Sequence, residues 1–284
     1  MTILIGTQFY PADPDSERRQ ALAMDALGRL EGVDAVDLQW EPTPPWRPWI
    51  RTVCDLREDS RTVSGCGGRQ KPVVSDITRA LSTIAEQRGY QYFMVINADI
   101  IVMPAALDVI RSRGKEAYAF SRLDIDRDGR ELGVTLSGLD AFAFDLKWWR
   151  AHQHRFRPYI MGEGCWDVVY APVMMCHANA LLVTGGEIRH ERHPMVSLNS
   201  AFADYNGYLA ALDARYFSVW CRYYDKLLKA RARGASPDEE RELARRTFVW
   251  RRSAPAALLQ AGRRVKARID YARKRERWNR ESAS

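Results

Sequence analysis

Apolar residues recur along the chain at two spacings, helical and strand-like, and the switching between them predicts strands and helices in turn. Thr2–Gly6 is a short β-rich apolar run and predicts a first strand, and Ser16–Leu30 then carries Leu22, Ala26, Leu27 and Leu30 at helical spacing. Val33, Val36 and Leu38 mark a second strand within Val33–Trp40. Glu41–Trp49 holds Pro42, Pro44, Pro45 and Pro48 and is read as irregular, because proline has no backbone donor. The stretch from Ser64 to Lys71, rich in glycine and ending in Arg69, Gln70 and Lys71, reads as a basic loop able to order over a ligand. Ser75 reads as the N-cap of a helix through Ile77, Ala80, Leu81, Ile84 and Ala85, which Gly89 ends. Tyr92–Ile96 follows with five apolar residues in succession. A strand without polar alternation is one covered on both faces, as in an α/β sheet. Pro104 fits the first position of a helix over Ala105–Arg113, with Gly114 at its end.

The second half of the pattern is less regular. Glu116–Ser121 predicts another strand, and Asp124–Gly129 a polar turn. A calcium loop starting at Asp124 would need a glutamate where Thr135 stands, so a plain hairpin or loop is favoured. Ser137–Asp145, with Phe142 and Phe144, predicts a strand leading to a surface helix at Trp148 and Trp149. Met161–Tyr170 places Glu163 and Asp167 around the start of a helix running toward Met175, on one face if both are helical. Ala180–Thr184 is a last apolar strand, after which Gly185 and Gly186 let the chain turn into Ile188–Pro194. From Leu198 onward the pattern is helical and rich in aromatics and arginine. Ser236-Pro237-Asp238-Glu239 is a helix-start signature, and a last helix over Pro255–Arg277 has a narrow apolar stripe through Leu258, Val265 and Ile269. The sum is an α/β fold: a Rossmann-like, mostly parallel sheet flanked by helices over residues 1–200, with a basic helical extension over 201–284.

Composition adds bounds. A chain of 284 residues with 46% hydrophobic residues can bury a sizeable core. No apolar run approaches the roughly 20 residues that span a bilayer, and the N-terminus lacks a charged segment followed by an apolar one, so a cytoplasmic location is expected. The five cysteines are scattered and odd in number, which argues against a disulfide framework or a zinc site. The net charge of +7 is uneven: from Arg222 onward 19 Lys/Arg stand against 8 Asp/Glu, leaving the preceding residues at −4. A basic tail of that kind can meet anionic lipid, nucleic acid or an acidic partner.

The chemistry is expected where the apolar pattern breaks. Asn97 and Asp99 interrupt the run Tyr92–Pro104 at the carboxyl end of a central strand, where open α/β sheets bind ligands and a carboxylate can hold a divalent cation. A turn between two short strands accounts for the same two residues. Glu163/Asp167 and His190/His193 likewise follow a strand or open a helix, and strands of a mostly parallel sheet deliver such loops to one edge.

In the order and kind of these elements, from Ile3 to Pro194, the chain resembles the glycosyltransferases of the GT-A fold, the nucleotide-diphospho-sugar transferases. The family's Asp-x-Asp motif, which binds Mn2+ or Mg2+ and through it the donor diphosphate, corresponds here to Asn97-Ala98-Asp99, so the first carboxylate is an amide. The resemblance implies a metal set of Asp99 with a late histidine, His190 in preference to His193. It implies a catalytic base at the start of a helix, Asp167 with Glu163 as the alternate, as expected of an inverting enzyme. It further implies Asp140 at a sugar hydroxyl, Thr7 and Gln8 at the nucleoside, and Arg69 and Lys71 at the diphosphate. The expected partners are a nucleotide-sugar donor and a glycan or lipid-linked acceptor. The basic C-terminal helix is expected to touch an anionic membrane face peripherally, and nucleic acid ranks below these. Two other functions remain in view: a sugar nucleotidyltransferase, which the absence of a glycine-rich loop after Gly6 disfavours, and a non-catalytic nucleotide-sugar-binding module, which Asn97 would suit.

Overall fold

The computed structural model describes residues 1–65, 70–163, 165–193 and 200–248, together with Val265, Ile269 and Arg273. By packing, the chain divides into two units: Met1–Arg57 with Ser75–His154 and His177–His193, and Glu58–Val74 with Arg155–Cys176 and Pro194–Ser284.

The first unit holds the sheet. Its strands are β1 (Ile3–Thr7), β2 (Val33–Gln39), β3 (Ile50–Cys54), β4 (Tyr92–Ile96), β5 (Ile100–Val102), β6 (Ala117–Ile125), β7 (Glu131–Asp145) and β8 (Ala180–Glu191). They lie in the order β3-β2-β1-β4-β7-β6-β8-β5. Neighbours from β3 to β4 are parallel, as are β6 and β8, while β7 runs antiparallel between β4 and β6 and β5 runs antiparallel to β8. This is the Rossmann-like, GT-A-like α/β architecture expected. The unbroken apolar run of β4 is explained by its place: all five residues are buried. Met94 and Ile96 share a core with Met24 and Leu27 of α1 (Pro14–Leu27) and with Ala106, Leu107 and Ile110 of α4 (Pro104–Arg113). On the opposite face Phe93 meets Trp149 of α5 (Leu146–His152), ring centroids 5.4 Å apart. The helix expected on the surface at Trp148 and Trp149 therefore packs inward, with both indoles buried. Large aromatic surfaces gain more from the sheet face and Phe144 than from water.

Two further expectations change. The helix expected to start after Ser75 is α3 (Val74–Arg88), with Ser75 already inside its first turn. The Val74 amide donates to the Tyr159 carbonyl at 2.7 Å, so the helix start needs no serine cap. Gly185 and Gly186 do not end the strand. β8 continues through them as a bulge, in which Phe120–Arg122 of β6 spans the stretch matched by Val183–Ile188. Gly186 takes φ +94, a conformation that favours glycine. The polar turn expected over Asp124–Gly129 begins later: Asp124 and Ile125 still belong to β6, and the β6–β7 hairpin follows them, with Asp126 Oδ1 accepting from the Asp128 and Arg130 amides.

The second unit contains α2 (Ser60–Ser64), most of α6 (Trp166–His177), and α7 (Ser200–Leu212), α8 (Ala214–Ala232) and α9 (Pro237–Phe248), so the C-terminal part is helical as expected over its described residues up to Phe248. Val73, Ile160, Tyr205 and Tyr208 form a small core in it. The start signature at Ser236 is realised: Glu239 accepts from the Ser236 amide at 2.8 Å while its own amide donates to the Ser236 hydroxyl. The last expected helix, Pro255–Arg277, lies outside the described residues except for Val265, Ile269 and Arg273. No helix among the described residues is long and apolar enough to cross a membrane.

Candidate functional site

Strand pairing in the first unit builds the site. The turn Asn97–Asp99 joins β4 to β5, with the Ile100 amide donating to the Asn97 carbonyl at 3.2 Å. β5 pairs with β8 so that Ile100 stands opposite His190, and on the other side of β8 His190 stands opposite Asp124 of β6. One histidine is thereby held between two carboxylates. Its Nδ1 is 3.2 Å from Asp124 Oδ1 and its Nε2 3.5 Å from Asp99 Oδ2. His193 Nε2 reaches the same Asp99 oxygen at 3.5 Å, and the ligand atoms of Asp99, His190 and His193 all lie within 4.8 Å of one another.

This donor set suits a divalent cation. Ligand atoms about 2.1 Å from a tetrahedral ion lie about 3.4 Å apart, close to the two 3.5 Å spacings from Asp99 to the histidines, and imidazole with carboxylate suits transition metals. The charges are arranged consistently. Burial alone would raise the Asp99 carboxyl, but hydrogen bonds and charge from His190 and His193 outweigh it and hold it well below the usual carboxylate range. Burial alone would lower His190, yet Asp124 and Asp99 push it up to about 9. Asp124 is lowered because His190, Thr135 and Arg122 together outweigh its desolvation. A cation entering would take the place of the proton as the positive charge between these acids.

A second polar group adjoins the first through one arginine. Arg122 donates through Nε to Asp124 Oδ1 at 3.0 Å and through Nη1 to Asp140 Oδ2 at 2.8 Å. Asp140 Oδ1 in turn accepts from Asn97 Nδ2 at 2.7 Å. The amide that replaces the motif's first carboxylate is thus engaged with Asp140, and the Asn97 Oδ1 is buried with no hydrogen-bond partner among the described residues. Thr7 closes β1 beside β4, and both Thr7 and Gln8 are buried, the Thr7 hydroxyl without a hydrogen-bond partner among the described residues. The structure therefore assembles Asn97, Asp99, Asp140, His190 and His193 into one connected network.

The remaining expected residues belong to the second unit. Asp167 lies in the first turn of α6 and is buried. Glu163 precedes the helix, so the two carboxylates do not share a helical face; its Oε1 is ion-paired to Lys71 Nζ at 2.7 Å, which also contacts the Gly162 carbonyl. Arg69 lies outside the described residues.

No protein-family model matches the sequence, and no curated protein sequence does either. Solved structures similar to the chain include TarS of S. aureus, residues 1–349, at 11% identity over 99% of this chain and 91% of that one, with a TM-score of 0.42. The mannosyltransferase PcManGT of Pyrobaculum calidifontis, solved with GDP-Man and Mn2+, is 13% identical over 98% of this chain and 83% of that one, with a TM-score of 0.40. A 4-diphosphocytidyl-2C-methyl-D-erythritol synthase is 15% identical over 73% and 97%, with a TM-score of 0.35. At these scores the likenesses carry no inference about substrate or mechanism.

Sequence reasoning gave Arg122 no role and placed Asp124 in a turn, whereas both stand in β6. Their spacing of two in a strand puts both side chains on one face, which is a readable signal. Their partners are 18 and 66 positions away, however, and only strand register brings them within reach.

Proposed function

We propose that the protein is a nucleotide-sugar-dependent glycosyltransferase that moves a sugar to a glycan or lipid-linked acceptor with the help of a divalent cation. The observation that carries this reading is the convergence of Asp99, His190 and His193 beside the end of a central strand. Those three side chains would hold the cation, Mn2+ in preference to Mg2+. When bound, it supplies positive charge that neutralises the departing nucleoside diphosphate. Asp140, its two oxygens held by Asn97 and Arg122, is preorganised to accept from a sugar hydroxyl near the same edge. Thr7 and Gln8 line the nucleoside end, with Arg69 and Lys71 assigned to the diphosphate. The base that takes the acceptor proton is assigned to Asp167 in an inverting displacement. Glu163 is the alternate and would first have to give up its ion pair with Lys71.

Incubating the full chain with UDP-, GDP- and CMP-sugars and Mn2+ tests the proposal. Donor turnover or hydrolysis that disappears in Asp99→Ala and Asp167→Ala is expected. A chain that neither binds nor cleaves any of these donors refutes it. One observation favours a second reading: with Asn97 committed to Asp140, only one carboxylate of the motif remains for a cation, which fits a module that binds a nucleotide sugar without turning it over. Calorimetry would then show donor binding that Mn2+ does not enhance.

A further inference from the structure

We propose that Asp124 is a positioning residue for the cation site, holding the Nδ1–H of His190 so that the imidazole presents Nε2 toward Asp99 and His193. This rests on the reading of those three residues as cation ligands. A neutral imidazole carries its proton on either nitrogen, and the ring can turn over; a ligand histidine needs one face and one tautomer selected. His190 is 5% exposed and stands opposite Asp124 in the β6–β8 register, with Nδ1 3.2 Å from Asp124 Oδ1. The carboxylate is itself fixed. Thr135 Oγ1 donates to its Oδ2 at 2.6 Å, and Arg122 Nε donates to its Oδ1 at 3.0 Å. Asp124 is outside the group of converging ligand atoms, so its reach into the site runs through the histidine.

The same arrangement makes Arg122 a brace with two ends. One guanidinium nitrogen steadies the carboxylate behind His190, and another steadies Asp140, which holds Asn97. Asn97 thereby serves the network as a donor to Asp140. A pair of buried charges is by itself weak evidence of a stabilising role, whereas carboxylates behind metal-bound histidines tune affinity.

Mn2+ affinity of the full chain, read from the electron paramagnetic resonance signal of free Mn2+, tests this in a cycle of wild type, Asp124→Ala, His190→Ala and the double variant. Asp124→Ala is expected to weaken Mn2+ binding about 10- to 100-fold, and to add nothing once His190 is gone. Asp124→Asn, which keeps shape and an acceptor, should lose less and carries the same cycle if the alanine variant does not fold. In Zn2+-loaded wild type, nitrogen spectra should show His190 protonated at Nδ1, and Asp124→Ala should lose that selection. Affinity within twofold of wild type in both Asp124 variants overturns the inference alone. An equal loss with and without His190 also overturns it, since Asp124 would then act elsewhere. Failure of wild type to bind Mn2+ overturns both this inference and the cation assignment beneath it.

Discussion

Arg122 offers the sharpest test of the network, because it neutralises two carboxylates that are nearly out of water. The Asp140 side chain is 6% exposed and that of Asp124 is 12% exposed, and Arg122 contacts them at 2.8 and 3.0 Å. Arg122→Met keeps much of the stem and removes the guanidinium. Deleting one partner of a buried ion pair costs about 3–5 kcal/mol, since the other charge is left behind. Here Asp124 retains Thr135 and His190, and Asp140 retains Asn97, so the lower end applies, about 3 kcal/mol. For a chain of this size that corresponds to a fall of about 6–12 °C in Tm. Urea and thermal unfolding followed by circular dichroism measure it. Arg122→Met/Asp140→Asn should recover about half of the loss, because the amide oxygen can still accept from Asn97 while the stranded charge is gone. A single variant within about 0.5 kcal/mol of wild type, or a double variant no more stable than the single, would show that the two carboxylates do not depend on Arg122.

Two other outcomes are expected. In metal-free protein the raised His190 contributes stability that is fully present below its ordinary value of 6.5 and is lost as the pH rises through about 9. The urea midpoint of chelator-treated protein should therefore fall over that range, and His190→Gln should flatten the dependence; a midpoint that rises instead contradicts the assignment. Two imidazoles with one carboxylate match Mn2+ better than Mg2+, which prefers an all-oxygen shell. Calorimetry should find Mn2+ bound at least about tenfold more tightly, and equal affinities would remove histidine from the ligand set.

The fold was legible in the sequence wherever the information was local. The unbroken apolar run of β4 announced a strand buried on both faces, and the proline-led helix after it was placed at its first residue. The interruption at Asn97 and Asp99, and the histidines late in the sheet region, named side chains that the structure brings near one another, since a polar break in an apolar run is visible within a few residues. β3 was not read, because it follows the proline-rich stretch and only Ile50 of its five residues is buried. The start of α3 was misplaced because a distant carbonyl, that of Tyr159, satisfies its amide. What only tertiary structure decided is the register of β6 against β8. The bulge at Gly186 carries β8 past an offset so that His190 meets Asp124. Hydrophobic period reports which residues turn inward, whereas pairing across 66 positions depends on how whole strands pack, and that packing gives Asp99 its histidines and His190 its second acid.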